Sequence, residues 1–192
     1  MYFGPEAHHP EAVERQALAE ERAICIPHEG IFLSGSLCIP PSAHATVLIA
    51  NDAGSARHLA PLRAIAQKLR AHGFATLMVD MLQLEEESAC ATVQASRIDS
   101  ARAWLATKEV GALPLVLFGM GLAAPAALIS AAVRPRQVQA VIACGPFPSY
   151  AGIAPENLKV PALFIARTGA LEIAQAALAF LDRESCHLRI AG

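Results

Sequence analysis

Aromatic side chains are scarce in these 192 residues, at 5%, with one tryptophan and two tyrosines, and only 17% of the side chains carry charge. The 15 basic and 17 acidic groups leave a net charge of −2. Neither sign forms a long block, so nucleic acid and an anionic membrane surface find no electrostatic footprint and are excluded as partners. Cysteine has no motif: Cys25, Cys38, Cys90, Cys144 and Cys186 are odd in number and never spaced Cys-x-x-Cys. That argues against a disulfide framework or a zinc knuckle and predicts reduced, mostly buried thiols. No metal site is expected. His8-His9 brings too few ligands, and the consecutive carboxylates of Glu85-Glu86-Glu87 cannot converge on one ion from one helix face. That acidic run reads as the solvated first turn of a helix. The opening MYFGPEAHHPEAVERQ lacks a basic n-region and an apolar h-region, which predicts a cytoplasmic protein. Internal repeats and low-complexity segments are also missing.

Apolar residues are plentiful: 54% of the chain, with a mean hydropathy of +0.40. A chain of this length and composition supports one domain with a sizeable core, and some of the apolar excess could be covered by a partner. Val110 to Val133 carries no charge and is long enough to span a bilayer, but Pro114, Gly119, Gly121 and Pro125 break it at strand-and-turn spacing. A short helix is expected over residues 10–22, opened by Pro10, so that residues 1–21 form an extension and 22–192 the domain. The segments AICIPHE and GIFLSGSLCIPP alternate apolar and polar residues about Glu29-Gly30, the pattern of an antiparallel hairpin at a sheet edge.

Beyond Pro40-Pro41 the pattern changes. ATVLIAN (45–51), FATLMVD (74–80), LPLVLFG (113–119), VQAVIACG (138–145) and VPALFIA (160–166) are short, branched and charge-free until their ends. Such runs are strands buried on both faces, and helices expected over 58–72, 89–107, 122–132 and 170–182 make them parallel. The expected fold class is therefore α/β, an open, mostly parallel sheet with a leading antiparallel hairpin, and its ligand crevice lies beyond the carboxyl ends of the strands.

The order of ATVLIANDAGSARH, GFATLMVDMLQLEEE, LVLFGMGLAAPAAL, AVIACGPFPSYAG and VPALFIARTGA resembles the dienelactone hydrolase-like branch of the α/β-hydrolases, from about residue 22 to the C-terminus. The resemblance implies a minimal three-layer sandwich without a cap domain. It also implies a nucleophile on a strand-to-helix elbow, a histidine, a carboxylate and an oxyanion hole. In this chain the elbow reads Gly119-Met120-Gly121-Leu122-Ala123, where the family has glycine, any residue, serine, any residue, glycine. The nucleophile position falls on Gly121, so Met120, Gly121 and Leu122 form a vestigial elbow. The acid position falls on Ala170, with Glu172 two residues away and expected to begin a helix. His187 reads as the start of a last strand pointing away from the elbow. Asn51-Asp52 stands where the family's oxyanion loop begins His-Gly, and a carboxylate at Asp52 would repel developing negative charge.

These departures lead to an expected protein that has lost serine-hydrolase activity. It would act by binding a small molecule in the crevice, through Asn51, Asp52, Ser55, Arg57 and Met120, or by binding another protein. Arg57 and His58 open a helix on the crevice side, where an anion could be held. The alternative is an esterase or lactone hydrolase with a relocated nucleophile, Cys144 or Ser55, assisted by His58. A third reading, overlapping the first, makes the apolar surface and N-terminal helix serve assembly as a homo-oligomer. Asp80, ending its strand at the mouth of the crevice, is expected to cap a turn.

Overall fold

The computed structural model describes residues 20–52, 59–83, 86, 88–145, 157–166 and 169–188. Two edge strands come first, β1 (Glu21–His28) and β2 (Ile31–Cys38), paired antiparallel across the two-residue turn Glu29-Gly30. Both turn residues have positive φ, +41° and +87°, as a type I′ hairpin turn requires. The expected helix over 10–22 ends differently from the sequence reading. Among its described residues, Glu21 and Arg22 belong to β1.

The remaining strands are β3 (Ala45–Asn51), β4 (Phe74–Asp80), β5 (Leu115–Met120), β6 (Ala140–Cys144) and β7 (Ala162–Ile165). They alternate with α1 (Leu59–Ala71), α2 (Ala91–Leu105), α3 (Ala123–Val133) and α4 (Ala170–Leu188). The seven strands lie in the order β1-β2-β4-β3-β5-β6-β7, with β3 to β7 parallel. Each central strand is apolar on both faces because each face carries a helical layer. Leu48, Leu77, Leu117 and Val141 point into one core with Ile98 and Ala101 of α2 and Ala127 and Leu128 of α3. Val47, Ile49, Phe118 and Ile142 point into the other, against Leu62 and Ile65 of α1 and Ala177 and Leu181 of α4. The uncharged stretch from Val110 to Val133 is spent on β5 and α3, and no helix of the described residues is long and apolar enough to cross a membrane.

Two expectations are corrected. His187 does not begin a strand; it lies in α4, which runs six residues past the expected end at 182. The helix α2 begins at Ala91 rather than in the acidic run, and Glu86 sits in the preceding loop. There Arg97 of α2 donates to both its oxygens, at 2.6 and 3.2 Å, and also to the Met81 carbonyl. This guanidinium holds the Glu86 carboxyl below the usual range. Glu86 is thus a fastener of the β4–α2 loop, and Glu85 and Glu87 lie outside the described residues.

Candidate functional site: the elbow between β5 and α3

The sheet register brings the site together. Asn51 at the end of β3 lies between Asp80 of β4 and Met120 of β5, and Met120 lies beside Cys144 of β6. The chain then turns at Gly121, whose φ of +62° is left-handed and whose N–H donates to the Cys144 carbonyl at 2.8 Å. A serine at the apex of such an elbow would have to hold a strained backbone that glycine adopts freely.

The glycines around the turn answer to packing. A Cβ on Gly119 would lie 2.5 Å from the Ala123 carbonyl oxygen and 2.7 Å from the Ala124 Cα. A Cβ on Gly145, after β6, would meet three backbone atoms of Gly121 at 3.1 to 3.2 Å. These contacts make the turn depend on glycine at 119 and 145 for packing, whatever stands at the apex.

The space above the apex is filled by Asp52. Its Oδ2 accepts the Leu122 N–H at 2.6 Å, and a Cβ on Gly121 would fall 2.6 and 2.7 Å from its two carboxylate oxygens. In a working elbow the N–H of the residue after the nucleophile is an oxyanion donor. Here that donor is Leu122 N–H, and a carboxylate of the same chain already takes it. Reading the sequence places Asp52 beside the turn, and the geometry shows its carboxylate on the Leu122 N–H.

Asp80 ends β4 beside Asn51 of β3. Its carboxylate accepts a hydrogen bond from the Asn51 side chain, and burial pushes its pKa up while that hydrogen bond pulls it down. Asn51 is 5% exposed and pairs with Asp80 across β3 and β4. Met120 is half-buried and Leu122 is 48% exposed.

Cys144 is 3% exposed, and burial alone pushes its thiol pKa up, the opposite of what activates a thiolate nucleophile. Ser55, Arg57 and His58 lie outside the described residues. One histidine does meet a serine, His28 Nδ1 and Ser100 Oγ at 2.9 Å. That hydroxyl is in the tenth position of α2, where the backbone N–H groups are used within the helix and none is left to receive an oxyanion. Ala170, at the expected acid position, opens α4, and Glu172 in its first turn accepts the Gly169 N–H at 2.7 Å. Glu172 is a helix-capping carboxylate, as its sequence position implied. Among the described residues no group of three or more His, Cys, Asp or Glu side chains is placed to hold a metal.

No family model matches the chain. Among solved structures it is similar to a dienelactone hydrolase from Anabaena variabilis, with a TM-score of 0.71 and 25% identity over 86% of this chain and 98% of that one. It is also similar to a lidless α/β serine hydrolase from Xanthomonas campestris, with a TM-score of 0.66 and 12% identity, covering 85% and 94% of the two chains. Among curated proteins it is 37% identical over 139 residues to proteins of two Mycobacterium tuberculosis strains provisionally named phosphoribosyl transferase. The match takes in 69% of this chain but 31% of those relatives, which are far longer.

Proposed function

We propose that this chain, which has the dienelactone hydrolase-like α/β-hydrolase fold, serves binding in place of acyl transfer. The observation that carries the reading is Gly121: the apex that should present an attacking oxygen has no side chain. A covalent acyl intermediate therefore has no atom to form on there. The other departures point the same way, since Ala170 stands at the acid position and His187 lies within α4. What remains is a crevice mouth with Met120 and Leu122 as apolar contacts and Asp52 as a fixed acceptor. It would hold a small molecule or a segment of another protein without turning it over.

A protein partner gains some support from the curated relatives, in which the matching segment is 31% of a longer chain. There the fold accompanies other protein mass; the transferase name belongs to that whole protein and is not carried over.

Hydrolysis of p-nitrophenyl acetate tests the reading, with Cys144→Ala and Ser55→Ala beside the parent. The expected result is no turnover above buffer in any of the three. Parent turnover abolished by either substitution would establish a relocated nucleophile instead. Gly121→Ser alone is expected to remain inactive, because a serine without a base and an orienting acid stays a weak nucleophile. Sedimentation of the parent separates the assembly reading: a strict monomer across working concentrations removes homo-oligomerisation as the role.

A further inference from the structure

We infer that the Asp52 carboxylate is a resident oxyanion, an internal occupant that closes the elbow to outside carboxylates and esters. The inference deepens the binding reading and rests on it for the empty apex. Two contacts of the one carboxylate and its place at a helix start agree. Oδ2 takes the Leu122 N–H at 2.6 Å, the donor that would otherwise meet a developing oxyanion. Both oxygens fill the volume a side chain at position 121 would enter, at 2.6 and 2.7 Å from its Cβ. The positive end of α3, which follows directly at Ala123, favours a negative group at this place. Asp52 and Gly121 are therefore reciprocal: a side chain at 121 and the carboxylate of residue 52 cannot both occupy the apex.

The consequence is a specificity rule. With its donor satisfied and a negative charge in place, the elbow repels anionic ligands and presents free carboxylate lone pairs to hydrogen-bond donors or cations. A ligand of that second class fits the native crevice, and a carboxylate fits only after Asp52 has left.

The test is a double-mutant cycle read by thermal unfolding, joined to an anion titration. Gly121→Ala is expected to lower Tm in the parent, where the new Cβ must expel the carboxylate. In an Asp52→Ala background the loss should be smaller by ~3 °C or more, since only the backbone strain remains. Equal losses in the two backgrounds would overturn the inference. Should Gly121→Ala fail to fold, the titration decides alone. Sodium acetate, compared with sodium chloride at equal ionic strength, is expected to raise the Tm of Asp52→Ala by a few degrees more than that of the parent, because the vacated seat binds it. Asp52→Asn keeps an acceptor in the seat and should show no such rescue. Equal acetate effects on the parent and Asp52→Ala would overturn the inference. Neither readout involves ester turnover, so failure here and a hydrolytic parent are separate results.

Discussion

Asp52 and Asp80 stand at the same carboxyl edge of the sheet and meet opposite fates. Asp52 accepts a backbone N–H at a helix start, whereas Asp80 is sunk beside Asn51, with burial outweighing the hydrogen bond from that side chain. Because the folded-state pKa of Asp80 lies above its unfolded value, the folded state holds this proton more tightly. The stabilising contribution is present at acid pH and is lost as pH rises from the ordinary aspartate range through the raised pKa. Asp80→Asn should therefore match the parent in acid and exceed it near neutrality, as chemical denaturation at a series of pH values would show; a variant less stable than the parent at neutral pH would contradict this. The residue types of the site were legible from the sequence, above all the glycine at the nucleophile position. What Asp52 does was not, because a lone carboxylate after a strand reads equally as repulsion beside a site or as occupation of it. Only the placement of β3 against β5 decides between the two.

At the scale of elements, the elbow is held by packing between β5 and α3. Gly119 allows β5 and α3 to touch, and Gly119→Ala would drive a Cβ into the Ala123 carbonyl and the Ala127 side chain at 2.5 and 2.8 Å. Overpacking of this kind costs about 1–3 kcal/mol, so Tm should drop by roughly 2–12 °C at this chain length; an unchanged Tm would mean that α3 is free to shift. The link between the β4–α2 loop and α2 is a second case. Glu86→Gln leaves the Arg97 guanidinium, 7% exposed, with the Met81 carbonyl but without its carboxylate. Since the Glu86 side chain is 28% exposed, water screens part of the loss, and about 1 kcal/mol is expected by urea denaturation. The strands were legible because burial on both faces imposes continuous branched runs, and turns punctuate them. The end of α4 was not. The buried stripe Ile173, Ala174, Ala177, Leu178 and Leu181 keeps the i, i+3, i+4 spacing only as far as Leu181, so the apolar pattern ends near the expected boundary while the backbone stays helical to Leu188.

Taken as a whole, the molecule is two cores sharing one sheet, and that sharing has a measurable consequence. Leu117 faces α2 and α3 while its neighbour Phe118 faces α1 and α4, both essentially inaccessible to solvent. Neither helical layer can leave without exposing strands that the other layer still needs, so the described domain should unfold in one step. Trp104, the sole tryptophan, packs against the α2–α3 core and reports on that side alone, whereas far-UV circular dichroism reports on all helices. Phe118→Ala empties the opposite core and should cost about 3–5 kcal/mol. If the sheet couples the layers, Trp104 fluorescence will register this distant loss in full, with its urea midpoint shifting as far as the dichroism midpoint and the slope unchanged. A fluorescence midpoint that stays at the parent value while dichroism shifts would mean that the α1–α4 layer unfolds separately. In that case the elbow, which draws Asn51 from the end of β3, Asp52 just after it and Gly121 just after β5, would still be held by the α3 side of the sheet after the other side had opened.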